Sequence, residues 1–401
     1  MVDDYYGIAD LKYIAAGAAI LASGGGGSYL DAVNIIKEFE ATGWSGAIHV
    51  QEYDGATNCC VLAMMGSPDA AANMTLSDVN HSIANTISTF QQAAGFVLSC
   101  VIPVEIGAIN TIVPFLAAAQ ADNSISWVVD GDGAGRAVPE LPQTSYGGSL
   151  NLSVSPGSLA NNAGTLTAIQ SATLKAGSAA QIEALAGGIT SAFGSFAGIA
   201  LWPSNISNQY ALSGNYIKNT VSQTRALGQF LLTAKTPPPT AIVARKIADL
   251  TDRAAAPVLT NFYITAITQS TTSGSLDAGI IRLDNSPDQS KSTETHYLYN
   301  LNENLIMYSS LGSAPNIIAP DSICYYSESN GLGFSNATND LALYFNSETG
   351  KSTGSTVSVI KVNAASTLCK TPGVVASFAG LLRNIGYAGA LPYPQELESG
   401  I

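Results

Sequence analysis

Between residues 47 and 130 the chain repeats one rhythm, a short apolar run followed by a segment whose apolar residues recur every three or four positions. Residues 47–53 alternate as a strand. Residues 61–65 form an apolar run ending at Gly66-Ser67, and 77–94 read as an amphipathic helix. Residues 96–102 form a second run, 107–121 read as a helix, and 126–129 form a third run ending in Asp130. Continuous apolar runs mark strands buried on both faces, and their alternation with helices specifies right-handed β-α-β crossovers. This rhythm predicts an open, mainly parallel sheet with helices on both sides, a three-layer α/β/α domain.

The flanking segments extend the pattern. Asp10 is placed to cap a helix running to about residue 23, with Leu11, Ile14, Ala18 and Leu21 on one face; the four glycines at 24–27 stop it. Ser28 is placed to cap a second helix to about residue 40. Residues 166–172 and 198–202 read as strands, and 178–193 and 215–234 as helices, the last closed by Pro237-Pro238-Pro239. After about residue 252 the texture changes. Short strand candidates follow at 262–268, 278–283, 295–301, 305–309, 322–326, 341–344 and 356–362, separated by turn residues such as Asn330-Gly331. That spacing suggests a smaller all-β, barrel-like domain. Thr371-Pro372 resembles the N-cap and first residue of a terminal helix that ends near Gly386. The expected division is an α/β domain over 1–251, completed by the helix within 366–401, and a β-barrel-like domain over 252–365.

Composition narrows the function classes. Only 11% of the 401 residues are charged and 46% are apolar, which excludes a disordered chain. A net charge of −13 opposes sequence-independent nucleic-acid binding. Residues 1–150 hold 3 basic and 15 acidic side chains, and Arg136 is the only arginine before Arg225. No run approaches 18 apolar residues, so no membrane span is expected. The five cysteines include no C-x-x-C pair, and the start of the chain is acidic, so free thiols and a cytoplasmic location are expected. The three histidines lie far apart and form no H-E-x-x-H.

Ligands of open parallel sheets bind outside the carboxyl ends of the strands. Those ends deliver Gly66-Ser67, Pro103-Val104-Glu105 and Asp130-Gly131-Asp132. The segment from Asp130 to Glu140 is the densest in information, with glycines at 131, 133 and 135 and Arg136 among the carboxylates. Pro139 and Pro142 oppose the helix that a dinucleotide site needs. Two readings stay open: a tight loop closed by an Asp–Arg bridge, or carboxylates for metal or proton work with Arg136 clamping a substrate oxygen. Glu105 reads either as a first-turn acid or as a base or metal ligand. Asn110 could orient a substrate amide. The N–H groups of Gly25, Gly26 and Gly27, with Ser28, could cradle an anion, or form a plain interhelical turn. Asn302-Glu303-Asn304 and Ala319-Pro320-Asp321 read as turns, with an Asx-turn at Asn304, or as groups reaching across the crevice.

Taken in order, these motifs resemble a family. Ala-Ser-Gly-Gly-Gly-Gly-Ser at 22–28, Met65-Gly66-Ser67-Pro68, Glu105-Ile-Gly-Ala-Ile-Asn110, the Asp130–Glu140 loop, Asn302-Glu303-Asn304 and Ala319-Pro320-Asp321 are similar to the pattern of the S-methyl-thiohydantoin desulfurase-like family. The resemblance implies a three-layer α/β domain with an added β-barrel domain. It also implies hydrolysis at a sulfur-bearing carbon of a hydantoin-type ring.

The expectation is therefore a hydrolase for a cyclic amide or thioamide small molecule, functioning as a homo-oligomer. Glu105, Asp130, Asp132 and Arg136 are the candidate catalytic residues. Glu105, Asp130 and Asp132 are also candidate ligands for a divalent metal, the one cofactor considered. Gly25, Gly26, Gly27, Ser28, Ser67, Asn110, Glu303 and Asp321 are the candidate substrate contacts. The alternatives are a non-catalytic metabolite-binding module and a structural subunit of an amidohydrolase-type assembly.

Overall fold

The computed structural model describes residues 4–66, 74–120, 124–271 and 277–393. One eight-stranded sheet comprises β1 (Asp4–Tyr6), β2 (Ile48–Gln51), β3 (Cys59–Gly66), β4 (Cys100–Pro103), β5 (Trp127–Val129), β6 (Gly157–Ala160), β7 (Ser171–Leu174) and β8 (Phe196–Ser204). Its order is β1-β2-β5-β4-β3-β8-β6-β7. Only the β2-β5-β4-β3 block is parallel. The four remaining pairings are antiparallel, so the sheet is mixed rather than mainly parallel. The rhythm between residues 47 and 130 belongs to that central block. β8, an equally apolar run, joins β3 in the opposite direction, which periodicity cannot distinguish.

The apolar strands are buried on both faces. In β3, Cys60, Leu62 and Met64 face one core while Cys59, Val61 and Ala63 face the other. The first core packs α1 (Ile8–Leu21), α2 (Tyr29–Ala41), α3 (Leu76–Ala94) and α4 (Val113–Ala119). The second is covered by α5 (Ala179–Ala192) and by irregular chain carrying Tyr146, Leu152 and Leu212. α1 starts at Ile8, with Asp10 returning its carboxylate to the Gly7 N–H at 2.9 Å, so Asp10 is a first-turn residue and not the N-cap. Ser28 caps α2 by accepting from the Asp31 N–H at 3.1 Å, as expected. α1 lies close against α6 (Thr220–Leu232), because Gly17 and Gly228 leave no Cβ between their backbones.

After α7 (Thr240–Thr251), a second sheet forms from β9 (Ala255–Thr271), β10 (Asp277–Asp284), β11 (Thr295–Leu301), β12 (Glu303–Ser309), β13 (Pro315–Ile318), β14 (Ser322–Tyr326) and β15 (Val357–Val362). Its order, β13-β12-β11-β10-β9-β15-β14, is antiparallel throughout. It curls into a half-barrel around Ile264, Leu283, Leu298, Met307 and Val359. The expected strand at 341–344 is instead the end of a short helix, α8 (Thr338–Leu341), followed by turn. Thr371 ends α9 (Ser366–Lys370), and the terminal helix α10 (Val374–Asn384) begins after Gly373, two residues later than Thr371-Pro372 suggested. α10 packs Val375 and Phe378 against Val138 of the first sheet's loops and Leu305 of the half-barrel. None of the helices among the described residues is long and apolar enough to cross a membrane.

Candidate functional site

A cavity of about 130 Å³ opens at the carboxyl ends of β3 and β4, where the half-barrel meets the sheet. β3 supplies Ala63, Met64, Met65 and Gly66, and the chain beyond β4 supplies Val104 and Glu105. The loop after Arg136 supplies Val138 to Leu141, β8 supplies Phe196 and Ile199, and the α1–α2 turn supplies Gly26 and Gly27. Asn302 and Glu303 enter from the half-barrel, at the β11–β12 turn. Asn302 takes a left-handed φ of 57°, which turns the chain sharply enough for Leu301 and Glu303 to pair. An apolar cavity of roughly 150 Å³ accommodates benzene, so this one suits a single small ring.

Glu105 is held by two hydrogen-bond donors. It is 6% exposed. Its Oε1 accepts from the Asn110 Nδ2 at 2.8 Å, and its Oε2 accepts from the Val138 N–H at 2.8 Å. Asn110 is itself fixed, because its Oδ1 accepts from the Met64 N–H at 3.0 Å. Burial raises the Glu105 carboxyl to about 7, against the pull of those two donors. Each carboxylate oxygen keeps a second lone pair, so the hydrogen bonds orient Glu105 without exhausting it.

Glu303 is 4% exposed, and among the described residues its Oε2 has no hydrogen-bond partner. Burial pushes its carboxyl well above the usual range, and the charge of Glu105 pushes it further; Arg136 and the Gly26 N–H oppose this. Burial therefore holds both carboxyls of the pair above the ordinary glutamate range, where the charged form of each is disfavoured. The glycine turn exists to admit this carboxyl. A Cβ on Gly25 would overlap the Glu303 side chain, and one on Gly26 would overlap the Gly107 Cα. Gly26 also has a φ of +66° and accepts from the Ile109 N–H at 3.0 Å.

Other expected site residues lie elsewhere. Arg136 is 1% exposed and does not line the cavity. Its guanidinium donates to the carbonyls of Ala137 (2.8 Å), Pro320 (3.2 Å), Asp321 (2.8 Å) and Asn304 (2.8 Å). It thus pins the strand that begins with Glu303, with four of its five N–H donors spent on backbone carbonyls. Asp132 is 0% exposed and accepts from the N–H groups of Ala134 (2.8 Å) and Gly135 (2.8 Å), closing its own loop. Asp130 accepts from the Ser222 N–H at 3.0 Å, in the first turn of α6. Glu105, Asp130 and Asp132 thus accept from separate sets of donors, and no group of three metal-ligating side chains occurs among the described residues.

The anion-cradle expectation also changes. The Gly25 N–H is spent on the Ala22 carbonyl at 3.2 Å. Ser28 donates to Asp340 at 2.9 Å, and the Tyr29 and Leu30 N–H groups donate to the same carboxylate at 3.0 and 3.1 Å. A half-barrel side chain therefore fills the N-terminus of α2. Asp321 accepts from the Ala364 N–H at 2.9 Å and pairs with Lys361 at 2.9 Å, away from the cavity. Asn304 forms no Asx-turn; its side chain bonds the Ile323 carbonyl, Tyr325 and Asn336. Ser67 lies outside the described residues.

Two cavity acids went unassigned in the sequence reading, Glu140 and Glu183. Glu183 accepts from the Leu141 N–H at 2.9 Å, and burial beside Glu140 raises it to about 7. Its signal was readable. It shares the α5 face of Ala179, Ile182, Ala186 and Thr190, a charge on an otherwise buried stripe.

The S-Me-THD-like N-terminal domain model matches residues 9–171, and the S-Me-THD-like C-terminal domain model matches residues 177–373. A crystal structure of a protein from Chromobacterium violaceum is similar over 98% of this chain and 99% of that one, with a TM-score of 0.77 and 24% identity. That likeness shows a shared fold. No curated protein matches the chain.

Proposed function

Because the chain belongs to the S-Me-THD-like family, that of the S-methyl-thiohydantoin desulfurase-like proteins, we propose that it hydrolyses a hydantoin- or thiohydantoin-type ring by water attack at a ring carbon. The observation that carries this reading is the buried Glu105–Glu303 pair at a ring-sized cavity. Two carboxyls whose environments separate their proton affinities divide the roles of base and acid between them. Glu105, held at about 7, takes a proton from the attacking water as the C–O bond forms. Glu303, protonated, gives its proton to the leaving sulfur as the C–S bond breaks, or to the ring nitrogen when the substrate is a plain cyclic amide. The net change is one water consumed and one thiol released, or one ring opened. Proton return from Glu105 to Glu303 resets the pair.

The walls support the same substrate class. Met64, Met65, Ile109 and Phe196 offer apolar faces to a flat ring, and the glutamates offer acceptors to ring N–H groups. Asn110 and Arg136 act by positioning, Asn110 on Glu105 and Arg136 on the Glu303 strand. All five cysteines are free thiols and four are buried, which supports a reducing, cytoplasmic setting. The test is turnover of S-methyl-thiohydantoin, thiohydantoin and hydantoin by purified protein, following thiol release and ring opening. Turnover by the native chain that is lost in Glu303→Gln supports the proposal. A ligand-dependent rise in melting temperature with no turnover of any of them replaces it with the metabolite-binding alternative.

A further inference from the structure

We infer that the outer wall of this cavity is a subsite for a basic group, so that the preferred ring carries a positively charged substituent. The inference rests on the proposed site and concerns which ring it accepts. Four glutamates line the cavity, and no lysine, arginine or histidine does among the described residues. Glu105 and Glu303 are buried at the floor, whereas Glu140 and Glu183 are partly exposed at the solvent end. The nearest balancing cation to the floor, Arg136, is committed to four carbonyls behind Glu303.

Proximity of Glu140 raises the Glu183 carboxyl, so a ligand cation between them relieves a repulsion already built in. A second, independent sign of a missing partner is Glu303, a residue of the same cavity whose buried Oε2 has no hydrogen-bond partner among the described residues. A ring seated with an N–H or carbonyl on the Glu303 carboxyl directs a flexible substituent toward the open end. An ammonium or guanidinium there meets two acids. A carboxylate there meets repulsion and no cationic side chain among the described residues.

The experiment compares, by calorimetry at low salt, hydantoins bearing a methyl, a carboxyethyl or an aminobutyl substituent. The expected order is aminobutyl bound at least about tenfold tighter than methyl, with carboxyethyl weakest, and the preference shrinking as salt rises. In the Glu140→Gln/Glu183→Gln double variant, the ratio of aminobutyl to methyl affinity should fall to near one. Each single variant should lower it partly. Should the double variant not fold, the native ranking and its salt dependence decide. Equal native affinities, or a preference for carboxyethyl, overturn the inference. Selective binding of the aminobutyl ring with no turnover of any ring upholds this subsite while removing the hydrolase reading.

Discussion

At the scale of the residue, burial decides which charged groups can do chemistry. Glu105 and Arg136 were both conspicuous in a charge-poor sequence, and the fold gives them opposite fates. Glu105 keeps free lone pairs facing a cavity; Arg136 spends its donors on four carbonyls. Sequence shows that an arginine sits among acids, but not that backbone carbonyls from residues 304, 320 and 321 converge on it. Replacing Arg136 leaves those carbonyls unpaired. Arg136→Lys should therefore cost about 3 kcal/mol or more in denaturant unfolding, a loss of stability in the empty protein. A normal unfolding midpoint with weakened ligand binding contradicts the positioning role. Glu105 makes a prediction of the opposite kind. Its folded carboxyl is raised to about 7 from an ordinary 4.5, so the folded chain holds more protons than the unfolded one between those values. Its contribution to stability is fully present below the ordinary value and is lost as pH rises through about 7. Melting curves should show Glu105→Gln losing less stability than the native chain between acid and neutral pH. Parallel pH profiles contradict the raised carboxyl.

At the scale of the element, turns that carry the site were legible as stops and not as structures. The four glycines at 24–27 end α1 as expected, but their close contact with Gly107 and Glu303 is a tertiary fact. Gly26→Ala should destabilise by roughly 2–4 kcal/mol, from a left-handed backbone and overlap with Gly107; an unchanged melting temperature contradicts that packing. The expected helix over 107–121 is helical only from Val113, because residues 107–110 wrap the glycine turn through the Gly26 carbonyl. β6, Gly-Ser-Leu-Ala, was missed because it has no β-branched residue to signal a strand. α7 was missed behind its run of prolines, which precede the helix as well as closing α6. α2 exposes a further point, since its capping is shared between Ser28 and a carboxylate distant in sequence. Asp340→Asn should cost about 1–3 kcal/mol by removing charge from the bonds to Ser28, Tyr29 and Leu30. Thermal melts of the variant read this directly, and full native stability contradicts a carboxylate bridge between the two sheets.

At the scale of the molecule, the site belongs to neither sheet alone. The parallel block brings Glu105 to its carboxyl edge, as the strand–helix rhythm indicated. The half-barrel brings Glu303, which the sequence marked only as a residue in a turn. What joins them is Arg136, Asn304 and Asp340, three buried polar residues whose partners lie across the junction. The S-Me-THD-like models likewise run through both regions. The central claim is that Glu105 and Glu303 form one acid–base pair assembled by this junction. It is tested most directly by kcat/KM for S-methyl-thiohydantoin between about pH 5 and about pH 9, in the native chain and in Glu105→Gln and Glu303→Gln. The account predicts a native rate that climbs through about 7 as Glu105 ionises and falls at higher pH as Glu303 loses its proton. It also predicts that each variant is slower by about 10²–10⁴-fold, with the climbing limb absent from Glu105→Gln. Native rates and an unchanged pH profile in both variants contradict it.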